Sequence, residues 1–388
     1  MQYRKFGRLD WQVSALGFGA MRLPTTDGNP MSDKVDEEEA IAMIRYAIDH
    51  GVNYVDTAWP YHFGKSEVIV GKALQDGYRQ KVKIATKSPV REFKTADEFD
   101  RILDEQLRRL QQDYIDFYLL HGINKDQWEN IVLKLDILKK AEAALADGRI
   151  KHFGFSFHDD LPAFKQIVDG YDKWEFCQIQ YNYLDVENQA GTEGLKYAAS
   201  KGLAVVIMEP LLGGKLVNPA GDILEIMREA DSNRTPADWA LQWLWNQEEV
   251  SVVLSGMSNM QQVVENIASA ERSGINSMTP QELDVISRVR EKFQAKSLIP
   301  CTGCAYCMPC PNNVAIPSVF RVFNEGYMFA DVEAARRFYN GFLKEETRAS
   351  GCVECRACED KCPQGIPISE WMPKVHSVLG EGKDYEAV

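Results

Sequence analysis

The sequence predicts a (β/α)₈ barrel followed by a small cysteine-rich domain. Three observations carry this. Eight short apolar runs alternate with amphipathic helical patterns over about 270 residues, the count for a barrel of eight strands. Many runs are apolar at consecutive positions, as parallel strands covered on both faces are. Of the nine cysteines, all but Cys177 lie between Cys301 and Cys362.

The apolar runs are Val13–Met21, Asn53–Ala58, Val82–Thr86, Ile115–Leu120, Ile150–Ser156, Phe176–Tyr181, Ala204–Met208 and Val250–Leu254. After the first, Asp36-Glu37-Glu38-Glu39 places carboxylates in a first helical turn, where the macrodipole favours them. Phe99, Leu103, Leu107 and Leu110 form a helical stripe; Trp128, Ile131, Leu135, Leu138 and Ala141–Ala144 form another. A doubly wound sheet is the competing architecture, but its Gly-rich phosphate loop is missing. Gly17-Phe18-Gly19-Ala20-Met21-Arg22 lacks the third glycine, and Gly213-Gly214-Lys215 lacks the rest of a P-loop. Residues 280–294 read as one more helix, with Leu283, Ile286, Val289 and Phe293 as its stripe. Composition changes at Pro300, which divides the chain into a barrel over 1–295 and a second domain over 296–388.

The 388 residues carry 44 Lys plus Arg against 57 Asp plus Glu, a formal charge of −13. That balance argues against nucleic acid held on a broad basic face. Apolar residues make up 45%, enough for a large core and against disorder. No uncharged apolar stretch reaches membrane-spanning length, and no apolar signal region precedes Asp10, so the expected location is the cytoplasm.

In such a barrel, chemistry sits where strands end and βα-loops begin. Strand two ends at Asp56, with Tyr61 in the loop beyond; strand three ends at Lys87 and strand four at His121. A tyrosine of reference pKa about 10 is a poor acid at neutral pH. An adjacent Lys⁺ stabilises its phenolate and lowers that value, and a carboxylate holds the lysine charged. A histidine can hydrogen-bond a carbonyl and fix its pose. Together the four would protonate a carbonyl oxygen as hydride arrives at carbon. In the bland alternative Asp56 caps a helix, Lys87 is solvated and His121 packs in the core.

The stretch Asp56-Thr57-Ala58-Trp59-Pro60-Tyr61-His62-Phe63-Gly64-Lys65-Ser66-Glu67 resembles the signature of the aldo-keto reductases. So do Ala85-Thr86-Lys87, Leu119-Leu120-His121 and the opening Leu16-Gly17-Phe18-Gly19-Ala20-Met21. The resemblance covers about residues 1–275. It implies NAD(P)H as cofactor, a carbonyl or alcohol substrate, and Tyr61 as general acid beside Asp56, Lys87 and His121. It also implies Ser156 and Gln178 at the carboxamide. Phe157 stands where the family has Asn, and Met208-Glu209 where it often has Tyr-Ser. Leu211–Leu216, with Gly213 and Gly214, would wrap the pyrophosphate, and Met208 and Pro210 count among the cofactor contacts. Ser255, Gly256, Gln262, Glu265 and Asn266 match the adenine end, where the uncharged Gly256 and Gln262 replace the family's cationic 2′-phosphate readers. Trp59, Phe63, Phe157 and His158 are expected to line the substrate mouth.

The tail holds Cys301-x2-Cys304-x2-Cys307-x2-Cys310-Pro311 and Cys352-x2-Cys355-x2-Cys358-x3-Cys362-Pro363. The second run has the spacing of bacterial [4Fe–4S] ferredoxins; the first has x2 before its last cysteine where x3 is usual. Zinc also takes four thiolates, but two four-Cys runs each ending Cys-Pro favour iron–sulfur. The tail resembles the helical two-cluster ferredoxin domain of fumarate reductase iron–sulfur subunits. That resemblance implies two crossed clusters: Cys301, Cys304, Cys307 and Cys362 on one, and Cys352, Cys355, Cys358 and Cys310 on the other. Cys177 reads as a buried, inert thiol.

A hydride carries two electrons and a [4Fe–4S] cluster passes one. The first reading is a carbonyl reductase or alcohol dehydrogenase whose clusters are structural or shape the substrate mouth. The alternative is an electron-transfer module in which clusters exchange electrons with a ferredoxin or flavoprotein while the barrel hosts the two-electron step. A third reading, a non-catalytic electron carrier or redox sensor, conflicts with the intact tetrad.

Overall fold

The computed structural model describes residues 1–30 and 32–387. They form two compact units, one of 1–217 with 233–283, the other of 218–232 with 284 onward.

The first unit opens with an antiparallel hairpin, β1 (Tyr3–Lys5) and β2 (Gln12–Ser14). Eight parallel strands follow: β3 (Leu16–Gly19), β4 (Tyr54–Asp56), β5 (Lys83–Ser88), β6 (Ile115–Ile123), β7 (Ile150–Phe157), β8 (Phe176–Gln180), β9 (Ala204–Met208) and β10 (Val250–Ser255). Each pairs with the next, and β10 closes on β3 through Leu254 opposite Gly17. The run Val13–Met21, read as one strand, is therefore two. The Ser14 hydroxyl donates to the Leu16 carbonyl at 2.7 Å, turning the chain at Ala15 between hairpin and barrel.

The hairpin plugs the barrel floor. Phe6 is fully buried inside the ring of strands, 4.7 Å from the Phe117 ring and packed with Tyr54 and Phe176. Gly7 follows at φ +53, where a Cβ would stand 2.3 Å from the Ala204 amide nitrogen. Arg4 ties the hairpin down by donating to the carbonyls of Val250 and Trp245, each at 2.7 Å.

Helices cover the outer face. The helix Glu37–Asp49 starts where the sequence places it, with the Asp36 carboxylate accepting from the Glu39 amide. The stripe from Trp128 to Ala144 is not one helix. A π-helical turn, Trp128–Leu133, is separated from the helix Ile137–Asp147 by Asp136 at φ 54. That left-handed residue resets the phase, so Trp128 and Val132 face the core from one piece and Ile137, Ala141 and Ala144 from the other.

In the second unit, helices Ile316–Met328, Val332–Gly341 and Ile368–Leu379 bury Phe320, Phe323, Tyr339 and Met372. The division between units falls within the helix Pro280–Ala295. Asn324 sews the segment before the first cysteine to its helix, exchanging hydrogen bonds with the amide and carbonyl of Ile299 at 3.0 and 2.7 Å. No described helix is long and apolar enough to cross a membrane.

Candidate active site and cysteine centres

Three neighbouring strands and one loop bring the predicted tetrad together. Asp56 ends β4, and Lys87 lies near the end of β5. Both side chains are buried, 4% and 1% exposed. The Lys87 ammonium donates to Asp56 Oδ1 at 2.6 Å, to the Thr57 carbonyl at 2.8 Å and to Tyr61 Oη at 3.2 Å. An ammonium has three N–H groups, so these partners fix it fully. Because Tyr61 Oη accepts from Lys87, its own proton stays free to point at a ligand. The His121 ring stands 5.9 Å from the Tyr61 ring, edge-on.

The electrostatics correct one expectation. Burial pushes the Tyr61 phenol above its ordinary value, and the nearby Lys87 ammonium offsets only part of this. The phenol is thus a protonated donor at neutral pH. Lys87 is itself pushed up: Asp56 and Tyr61 facing it outweigh its burial, so it stays charged. Burial raises the Asp56 carboxyl and Lys87 pulls it back. Burial, with the charge of Lys87, holds His121 well below its usual range and hence neutral.

The loop that carries Tyr61 is held in an uncommon shape. His62 and Phe63 have φ of 49° and 56°, the left-handed region that side-chain-bearing residues seldom adopt. His62 Nδ1 donates to the Ser32 carbonyl at 2.6 Å and Nε2 accepts from the Leu23 amide at 3.1 Å, which defines its tautomer.

Along β7 and β8 the pleat aims alternate side chains inward. Ser156 is buried and its hydroxyl accepts from the Gly122 amide at 2.7 Å. Gln178 is buried beside the Met208 sulfur at 3.5 Å, and its Oε1 has no hydrogen-bond partner among the described residues. After β9, Glu209 and Leu212 at φ 54 and 48 and then Gly213 and Gly214 at φ 65 and 93 curl the chain past Pro210 and Leu211. Among the described residues no atom lies within 4 Å of where a Gly214 Cβ would be, which leaves room for a ligand. An orphaned carboxamide acceptor and the open space at Gly214 both fit a nicotinamide dinucleotide.

At the other predicted contacts, Ser255 Oγ accepts from Asn266 Nδ2 at 3.0 Å, and both residues are buried. Gln262 Oε1 accepts from the Ser258 amide at 2.8 Å, and the exposed Glu265 accepts from Gln261. Gly256 lies under the stem of Arg22, whose guanidinium sits 3.8 Å from Glu209. The sequence reading assigned Arg22 no role. No local signal marks it, because its neighbours come from the loops after β9 and β10.

Trp59 is half-buried, and Phe63 and His158 are exposed, but Phe157 does not belong to the mouth. It is fully buried against Phe164 with ring centres 5.1 Å apart. On β7 it alternates with Ser156 and therefore points outward, under the helix Leu161–Asp169.

In the second unit the eight clustered cysteines ring two hollows. Cys301, Cys304, Cys307 and Cys362 line one. Cys310, Cys352, Cys355 and Cys358 line the other. Ile316 and Ile368 lie on both. Among the described residues no three Cys, His, Asp or Glu side chains converge on a single-ion site. A cubane asks for something different, four thiolates spread around a cage, and this is the arrangement the hollows present. Burial pushes Cys307 up to about 11. Cys177 is buried in β8 with its thiol pushed up by burial alone.

Barrel and cysteine hollows together define an oxidoreductase joined to an iron–sulfur domain. Residues 15–288 match the Aldo/keto reductase family, and residues 300–366 match the 4Fe-4S dicluster domain. The chain belongs to the aldo/keto reductase family. It is 30% identical to L-galactose dehydrogenase of Arabidopsis thaliana over 74% of this chain and 94% of that protein. It is 26% identical to the NADH-specific methylglyoxal reductase of Escherichia coli over 68% of this chain and 91% of that one. Among solved structures it is similar to an aldo-keto reductase from Bacillus halodurans in its holo form, with a TM-score of 0.61 and 28% identity over 74% of this chain and 96% of that chain. A Klebsiella pneumoniae aldo-keto reductase in complex with NADPH gives 0.60 and 26% over 74% and 95%.

Proposed function

We propose that the chain is an NAD(P)-dependent carbonyl reductase and alcohol dehydrogenase with Tyr61 as general acid and base. The carrying observation is the chain of contacts from Asp56 through Lys87 to Tyr61 Oη, which leaves the phenolic proton free. A bound nicotinamide supplies the hydride. His121, held neutral, donates to the substrate oxygen and aims the carbonyl carbon at the cofactor. As the carbon gains its hydrogen, the oxygen takes the Tyr61 proton and the phenolate left behind is held by Lys87. Solvent restores that proton. Oxidation of an alcohol runs the same steps backwards.

Ser156 and the orphaned Oε1 of Gln178 would receive the carboxamide of the cofactor. Met208, beside Gln178, would lie at the nicotinamide end with Pro210 following it, Leu211, Gly213 and Gly214 would follow the phosphates, and Ser255, Gly256, Gln262, Glu265 and Asn266 the adenosine. We assign this barrel to residues 1–295 and the iron–sulfur domain to 296–388, with one cubane in each hollow.

Tyr61→Phe tests the reading. Turnover should fall about a hundredfold or more, while nicotinamide nucleotide still binds. Undiminished turnover would remove Tyr61 from the chemistry.

The second reading, an electron-transfer module serving a ferredoxin or flavoprotein, is favoured by the exposure of Cys304 and Cys355, one at each hollow. Anaerobic titration with NADH and then NADPH separates the two. A self-contained reductase binds nucleotide and keeps its iron–sulfur absorbance; bleaching would mean that nicotinamide electrons reach the clusters.

A further inference from the structure

Glu67 takes no part in the steps above, yet its carboxylate is fully enclosed beside the tetrad. Enclosing a carboxylate is costly unless it is fully hydrogen-bonded and paired. Its two oxygens reach two different parts of the site. Oε1 accepts from Thr86 Oγ1 at 2.7 Å and from Gln106 Nε2 at 2.6 Å. Thr86 precedes Lys87 on β5, and the same Gln106 nitrogen lies 3.1 Å from the Lys87 carbonyl. Gln106 is itself oriented by Tyr118 of β6, whose hydroxyl donates to its Oε1 at 2.7 Å. One oxygen of Glu67 thus fixes the strand that carries Lys87.

The other oxygen reaches the loop that carries Tyr61. Glu67 Oε2 accepts from Arg109 Nη1 at 3.1 Å. The Arg109 guanidinium lies 3.8 Å from the Trp59 ring centre and its Nη1 is 3.4 Å from the Trp59 carbonyl. It also rests on Gly64, where a Cβ would come within 2.9 Å of Nη1. Trp59 and Gly64 bracket Tyr61, and between them His62 and Phe63 hold left-handed backbone. Such conformations persist only where surrounding contacts enforce them.

We propose that Glu67 and Arg109 are positioning residues, a buried ion pair that couples the Tyr61 loop to the Lys87 strand and so sets the distance from the phenol to the ammonium. All donors on Glu67 are hydroxyl, amide or guanidinium, which suits an ionised carboxylate. Burial raises its carboxyl, and Thr86, Gln106 and Arg109 oppose that rise. The fork of Arg109 spans carboxylate, ring and carbonyl together, which a lysine cannot do.

The proposal rests on Tyr61 as general acid, so Tyr61→Phe is run beside it. Carbonyl probes are 4-nitrobenzaldehyde and methylglyoxal with NADH or NADPH, using the full holoprotein. Glu67→Gln and Arg109→Lys should each lower kcat about tenfold to a hundredfold, as a displacement near 1 Å does. KM for the carbonyl and Kd for the nucleotide should stay near wild type. A phenol drawn away from Lys87 titrates higher, so tyrosinate absorbance, taken as the difference from Tyr61→Phe, should appear at higher pH. That readout needs no turnover.

Asp116→Asn is the control for stability alone. Asp116 is a buried carboxylate at the opposite end of the β5–β6 pair, held by Arg79 at 2.7 Å and the Ile84 amide at 2.9 Å. It should lose stability and keep kcat and the Tyr61 titration. If Glu67→Gln does not fold, the decision passes to Arg109→Lys, whose side chain is 18% exposed. Wild-type kcat and titration in a folded variant, or equal losses in Asp116→Asn, would overturn the proposal. Unchanged turnover in Tyr61→Phe would instead overturn the reading of the site.

Discussion

At the scale of single residues, the pH dependence follows from which groups stay protonated. Burial keeps Tyr61 protonated above its ordinary value near 10, and His121 neutral below its ordinary value near 6.5. Carbonyl reduction needs the phenol, so kcat/KM should be flat across neutral pH and fall only on the alkaline side. Alcohol oxidation needs the phenolate and should rise on that same limb. An acid limb near pH 6.5 in the reduction profile would contradict a neutral His121. Gln178→Ala gives a second check. Removing the lone carboxamide acceptor should raise Kd for NADH or NADPH about two- to tenfold and leave ADP-ribose binding unchanged. Asp56 does end β4, but Lys87 is followed on β5 by Ser88 and His121 on β6 by Gly122 and Ile123, so the sequence located these side chains to within two residues of the strand ends. The net rise of Tyr61 was not readable, since it depends on how much protein encloses the ring. Glu67 was visible only as one letter of a signature, because its partners Gln106 and Arg109 come from a helix far along the chain.

Elements were legible wherever one periodicity ran unbroken. Short apolar runs mark the eight barrel strands, many of them apolar at consecutive positions, and the acidic first turn marks the helix Glu37–Asp49. Two breaks carried no apolar signal. Ser14 turns the chain through a side-chain bond to Leu16, and Asp136 interrupts a stripe whose apolar spacing continues past it. The hairpin made by the first break has a mechanical role. Phe6 fills the barrel floor that a ring of parallel strands leaves open, and Arg4 bonds it to the end of the barrel. Phe6→Ala should therefore cost about 3–5 kcal/mol, the penalty for emptying an enclosed aromatic site. Tryptophan fluorescence during denaturant unfolding measures it. A cost typical of exposed positions would mean that the hairpin merely rests against the floor.

At the scale of the molecule, the two cysteine runs gain their meaning only when folded against each other. Cys-Pro endings and short spacings made each run legible, and the hollows draw the last cysteine of each toward the first three of the other. An uncrossed pairing would instead put Cys310 with Cys301, Cys304 and Cys307. Double variants distinguish the two through coupling, because two ligands of one cubane cannot lose it twice. With crossed clusters, Cys301→Ala and Cys362→Ala should each remove half the iron, and the double variant should remove no more. Cys301→Ala with Cys310→Ala should remove nearly all of it. Iron and acid-labile sulfide, measured on anaerobically purified protein, decide the matter. The reverse pattern would place both clusters within their own runs and leave Ile316 and Ile368 between two independent sites. A crossed pair has the further consequence that neither hollow closes before the helix Ile316–Met328 has brought the two runs together, since each cluster takes ligands from before and after it in the chain, and Ile368 of the helix Ile368–Leu379 lines both hollows. Cluster loading and folding of this unit should therefore be lost together on chelation, with the Tyr61 site assayed alongside to show whether the barrel depends on either.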